Sequence, residues 1–459
     1  MTKVKAGVVS AIVPLVIVGA LQVLRADFIA VDPGVRNDGI AGAGQRIAGL
    51  TATQRAFFAN SRDDFEEVEA IEEGLGPRFN LDSCVGCHKQ PASGGSSPAV
   101  NPQVEVANAF GAWNTIPSFI RLNGPVREAR FKRNSNGSAD GGVHSLFTIA
   151  GRWDAPGCTA NQEDFEAQVM ARNIVFRIPT PVFGAGLIEM IPDYQITANR
   201  RSDRTSKLAF GIAGRENHNG NDGTIARFGW KAQNKSLLLF AGEAYNVEMG
   251  ITNDNFQNER DEDPACQFAG VPNDTVNPDA QPVTLPSGKV VTPDVLSAVE
   301  KFTIFMRFLA PPTPSATLPG GSASIAAGRQ VFSNVGCAYC HTPSFTTGAS
   351  SIAALSNQQV NLFSDLLVHN MGPRLADDVS QGQAAGDEFR TAPLWGLGKR
   401  IFFLHDGRTK DLRDAIEAHA HGSVVNPNYP ESEAHPSVDA FQALSEWDKQ
   451  DLLNFLRSL

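Results

Sequence analysis

The stretch NLDSCVGCHKQPASGG, Asn80–Gly95, sets Cys84 and Cys87 three positions apart with His88 directly behind them. A second copy, NVGCAYCHTP at Asn334–Pro343, supplies Cys337, Cys340 and His341 about half a chain later. Attaching haem covalently needs two thiols that reach its two vinyl groups from one short turn. It also needs an imidazole that binds the iron from the same side, and C-x-x-C-H supplies all of these groups together. Zinc would want two further Cys or His ligands at matching spacing, and the motifs lie too far apart to show such a pattern locally. A redox dithiol expects a βαβ context, which neither motif has. The two motifs therefore read as two c-type haems held by Cys84, Cys87, Cys337 and Cys340, with His88 and His341 as proximal iron ligands.

The chain of 459 residues is long enough for two or three domains with cores of their own. Its 42% hydrophobic and 19% charged content is that of a globular protein. A net charge of −10 argues against a nucleic-acid partner or an anionic membrane surface. Lys3 and Lys5 precede an uncharged run, Ala6–Leu24, so residues 1–26 read as a secretory signal peptide or a signal-anchor. No clean small-residue cleavage site precedes Arg25, and the run could remain as a membrane anchor. The expected location is periplasmic, with a tether to the inner membrane as the alternative. Of the six cysteines, the haem motifs use four and leave Cys158 and Cys266. An oxidising compartment permits these two a disulfide, and closing so long a loop contributes roughly 4–5 kcal/mol in the chain-entropy account. Two unpaired buried thiols are the alternative.

The expected fold is mainly α: two cytochrome c-like haem domains, the first enlarged by long loop-rich insertions with a few short strands. The first spans 27–309 and the second 325–459, separated by the Pro/Gly/Ser-rich Ala310–Ser324. A helix runs into the second motif through SIAAGRQVFSNVGCAYCH. The C-terminal ALSEWDKQDLLNFLRSL opens with Ser445 and Asp448 at capping-box spacing, and Leu452, Leu453, Phe455 and Leu456 form its apolar stripe.

Leu366–Gly422, which contains HDG at His405–Gly407, resembles the C-terminal domain of bacterial di-haem cytochrome c peroxidases. A fuller resemblance is to their di-haem oxidoreductase relatives, carried by GLGPRFNLDSCVGCH, ARFGWKAQ and VEMGIT. The resemblance implies that the second haem's far-side ligand lies fourteen residues after the histidine of HDG, which here is His419. On the helix KDLRDAIEAHA, Leu412, Ala415, Ile416 and His419 also share one face, whereas His421 falls off it. Most of the family uses methionine at this position and the methylamine-utilisation relative uses tyrosine; imidazole in place of methionine implies a lower potential. His405 reads as a turn histidine. For the first haem the resemblance implies a distal histidine soon after the motif. The nearest is His144, with Met190 and Met249 as rivals and an open five-coordinate iron as the remaining alternative. Family members bind calcium just before HDG, but Arg400 and Phe402 occupy those positions and argue against it here. The family's acid–base glutamate and inter-haem tryptophan have Glu128, Glu189, Trp113 and Trp230 as available residues.

Three functions are compatible with these readings. One is a peroxidase-like enzyme taking electrons from a small cytochrome or cupredoxin and passing them to a small-molecule oxidant. Another is an electron carrier with both irons six-coordinate. The third, by analogy with distant di-haem relatives, is an oxygenase acting on an organic substrate. The large elaboration around the first haem favours an enzyme, because electron shuttling needs little protein. The sequence leaves the oligomeric state open.

Overall fold

A computed structural model describes residues 28–259, 263–278, 281–284, 287–288, 290–291, 295–420 and 428–459. The expected signal segment and His421 lie outside the described residues. Among the described residues no helix is long and apolar enough to cross a membrane.

Helices carry the structure, and the strands are short. In the C-terminal part, Gly321–Asn334 packs along Glu446–Ser458. The hydroxyl of Ser445 accepts from the Asp448 N–H at 3.2 Å, fixing the start of the last helix. Leu452, Leu453, Phe455 and Leu456 then all fall in the core. The helices approach so closely that a Cβ on Gly328 would sit 1.9 Å from the Asp451 carbonyl oxygen. Phe332, Phe363 and Phe455 close the contact edge-to-face, with ring centres 5.4–6.1 Å apart.

The larger N-terminal part rests on the helices Ala52–Glu66 and Ala298–Phe308. Capping boxes from Thr51 and Ser297 start them, and they meet through Phe58, Phe65 and Phe305. The helix Leu237–Met249 packs against Ala298–Phe308. A three-stranded antiparallel sheet has Glu128–Phe131 in the middle, between Val143–His144 and Ile174–Arg177. Cys158 and Cys266 form the expected disulfide across this part.

The domain boundaries are less clean than composition indicates. Ala30 belongs to the C-terminal core, and Asp32 forms an ion pair with buried Arg457 at 2.5 Å, so the start of the described chain straps the far domain. The expected linker is also held down. Ala310 and Thr313 donate to the carbonyls of Gln45 and Ala41, Ser315 donates to that of Ser458, and the next helix starts at Gly321. Asp377 joins the two parts through buried ion pairs to Arg177 at 2.7 Å and Lys231 at 3.2 Å. Proline and glycine mark where helices stop; they do not make the segment between them independent.

Candidate functional site

Ser83 caps a single helical turn, Cys84–Cys87, by accepting from the Gly86 N–H at 3.2 Å. That turn brings Cys84, Cys87 and His88 to the wall of one cavity. The Nδ1–H of His88 donates to the Gly95 carbonyl at 3.0 Å, and the ring also meets the Thr180 backbone. Burial outweighs that hydrogen bond and pulls the imidazole down to about 4, so it is neutral and ready to ligate. The cavity holds about 1180 Å³ of atom-free space, its solvent opening included. Phe65, Tyr245, Phe302 and Met306 supply much of the apolar wall.

The second motif repeats the arrangement. Cys337, Cys340 and His341 line a cavity of about 1390 Å³ on the same measure. His341 Nδ1 donates to the Phe363 carbonyl at 3.0 Å, and burial again lowers the imidazole to about 4. His419 lines this cavity too, with its own Nδ1 directed to the Ala415 carbonyl at 2.7 Å. It lies near enough to His341 to lower that imidazole further. His405 is in the same cavity wall but stacks on Phe389 at 4.3 Å. The donor sets fit haem: each cavity joins a thiol pair, a neutral imidazole and apolar walls.

The chain's residues 128–459 match the family described as "Di-haem oxidoreductase, putative peroxidase". The chain belongs to the di-haem oxidoreductase family. No curated protein matches it. Among solved structures it is similar to hydrazine synthase of Kuenenia stuttgartiensis, at 17% identity and a TM-score of 0.23. That match covers 37% of this chain and 57% of the other, and at so low a score it carries no argument.

In this di-haem oxidoreductase the expected distal ligand of the first haem is corrected. His144 does not line the cavity. Its Nδ1 meets Glu163 at 2.8 Å and its Nε2 meets Asp140 at 3.0 Å, so neither ring nitrogen is free. Burial alone would lower its pKa, but the two carboxylates outweigh it and raise it. The pleat explains the placement. His144 pairs with Ala129 and stacks on Phe131, on the opposite face from Glu128, Arg130 and Arg177, which line the cavity. Met190 packs against the core away from the cavity, and Met249 lines it.

The remaining candidates separate just as plainly. Glu189 is committed to Arg307 and to the N–H of Leu237, and Trp113 is 71% exposed. Trp230 lines both cavities, its indole N–H donating to the Ile178 carbonyl at 2.8 Å. Glu128 stands in the first cavity with Arg130 at 2.6 Å.

Its partner was not expected: Glu248 shares a hydrogen bond with Glu128 and takes another from Asn80 at 2.7 Å. Burial would raise Glu128, but Arg130 and Glu248 hold it down at about 2. Burial and the neighbouring carboxylate push Glu248 well up. The pair therefore holds one proton, on Glu248, which donates to ionised Glu128. The signal was an acid on the buried stripe Leu237, Ala241, Tyr245, Glu248 of one helix.

His419→Met is expected to keep the second haem low-spin and raise its potential by tens to hundreds of millivolts, within the ~0.8 V that axial ligands span. His419→Ala is expected to make that haem high-spin. Potentiometry and electron paramagnetic resonance check both, and a second haem indifferent to either change would remove His419 from the ligand set.

Proposed function

We propose that this chain is an exported di-haem peroxidase with two covalently attached c-type haems in cytochrome c-like surroundings. The first haem, at Cys84, Cys87 and His88, is the reaction centre. The second, at Cys337, Cys340, His341 and His419, stores and relays an electron. The observation that carries the reading is the asymmetry of the cavities. Among the described residues His88 is the only histidine lining the first, where a carboxyl pair stands instead of a distal imidazole. The second holds His419 in addition to His341.

When bound, an open haem iron supplies the redox chemistry that splits a peroxide bond, and the protein supplies the proton transfers. Glu128, ionised and buried, takes the proton of an incoming hydroperoxide and returns it to the departing oxygen. Glu248 keeps its own proton and steadies the Glu128 carboxylate between turnovers. Gln103 also lines the cavity, but its amide is engaged with the backbone of Arg127 at 3.0 and 2.9 Å, so it holds the wall in place. Trp230 offers a π system common to both cavities, suited to electron passage. The electron donor in this reading is a small cytochrome or cupredoxin outside the cytoplasm, reached after export directed by residues 1–26.

Spectroscopy of the matured protein tests the proposal. One high-spin ferric haem is expected in the resting or half-reduced state, together with oxidation of a donor by hydrogen peroxide. Two haems that stay low-spin at every reduction level, as a thioether ligand from Met249 would produce, with no peroxide reaction, would leave an electron carrier.

A further inference from the structure

Two guanidiniums lie in the partition between the cavities with no carboxylate in ion-pair contact among the described residues. Arg390 and Arg400 line the second cavity and also a smaller space of about 530 Å³. That space shares Thr180, Val182 and Trp230 with the first cavity. Arg390 is buried and donates only to backbone carbonyls, Gly229 at 2.9 Å and Thr391 at 3.3 Å. Arg400 donates to the Pro393 carbonyl at 3.0 Å, and its Nε is buried without an acceptor. Among the described residues no carboxylate forms an ion pair with either. The third arginine there, Arg227, is already bound to Asp193. Burial and the like charge of Arg400 push Arg390 down to about 10 against the weaker pull of Asp365, and burial alone does the same to Arg400. Buried cations are kept in proteins where an anion meets them, and guanidinium forks suit carboxylates in particular.

We propose that Arg390 and Arg400 dock the two propionate carboxylates of the second haem, setting its orientation and its charge in the wall between the cavities. The proposal rests on the reading of Cys337, Cys340 and His341 as a haem site. The nearby carboxylates, Asp365 and Glu433, are paired with His369, and neither forms an ion pair with the two guanidiniums. The pairing has an electrostatic consequence. Cations at the propionates favour the ferrous state, whose haem carries one positive charge less, and they keep the carboxylates ionised in both redox states. Electron uptake by the second haem is then not coupled to proton uptake at its propionates. A relay that delivers electrons to a neighbouring centre benefits from that independence.

The test compares the matured wild-type protein with Arg390→Gln, Arg400→Gln and the charge-keeping Arg400→Lys by potentiometry across the pH range in which a free propionate titrates. Each Gln variant is expected to keep two haems and to shift the second haem about tenfold toward ferric, which is about 59 mV for one electron. Each is also expected to make that potential pH-dependent, with Arg400→Lys restoring most of both properties. Gln variants that carry two haems with unaltered, pH-independent potentials overturn the assignment. Where a Gln variant fails to mature, the crystal structure of the wild-type holoprotein decides. Propionate oxygens at about 2.7–2.9 Å from the two guanidiniums support the assignment, and propionates facing solvent or another side chain overturn it. A wild-type protein lacking the second haem defeats the underlying reading and shows in the haem count before any potential is measured.

Discussion

Glu128→Gln is expected to lower peroxide turnover by ~10²–10⁴-fold while leaving both haems attached and the resting spectrum unchanged. The substitution keeps the shape and an oxygen acceptor for Arg130, which also donates to the Gly141 carbonyl at 2.8 Å, so the wall has reason to stay in place. What disappears is the one buried group in the cavity that is ionised yet hydrogen-bonded to a neutral acid. Single-turnover mixing with hydrogen peroxide measures the effect directly. Wild-type rates in a variant with both haems in place would remove Glu128 from the chemistry.

The pH profile gives the pair a second signature. Glu128 sits at about 2, held there by Arg130 and Glu248 against the opposing effect of burial, so its basic form is present above that range and lost as pH falls through it. Glu248 is pushed well above the ordinary carboxyl value, so its proton is lost only as pH rises through that elevated value. The peroxide rate is therefore expected to be flat around neutrality, with an acid limb and a distant alkaline limb that belong to the pair and not to either residue. Glu248→Leu removes the donor to Glu128 and is expected to move the acid limb upward.

These carboxyls also show where reading the chain stops. The di-haem family was legible because the chemistry its motifs carry is local: two thiols and an imidazole within one turn need no tertiary information, and residues 128–459 match that family. His419 was legible as a position on an apolar helical face, and the structure sets it in the cavity of His341. The Cys158–Cys266 bridge followed from elimination and compartment. His144 failed because distance along the chain says nothing about which face of a strand a residue takes, and a single position decides it. Glu248, Arg390 and Arg400 were missed because their meaning depends on what surrounds them. A buried charge and a solvated one look alike in sequence, and only packing reveals that two arginines lack an anion. The segment Ala310–Ser324 shows the same limit, since proline marks breaks in helices whether or not the segment is free, and its hydrogen bonds to Gln45, Ala41 and Ser458 come only from packing.

Replacing Cys84 and Cys87 together by serine is expected to halve the covalent haem content, abolish peroxide turnover and sharply lower thermal stability. The first two outcomes follow from the division of labour proposed above, because the second cavity keeps its thiols, His341 and His419. The third follows from volume. An unfilled cavity forfeits the contacts that its apolar lining would make with the cofactor. Phe65, Tyr245, Phe302 and Met306 around that space belong to or contact the largest apolar core, so collapse there would not stay local. The disulfide limits how far the chain opens but fills no space. Intact mass, haem absorbance per chain and a melting curve read the three outcomes separately. The mirrored pair, Cys337→Ser with Cys340→Ser, is expected to leave one high-spin haem that meets peroxide but lacks its electron store, giving a single partial turnover in place of a cycle. If either double variant still carries two covalent haems, or if the unaltered protein carries none, the thiols at those motifs do not hold the cofactor and the division of roles between the two sites falls with them.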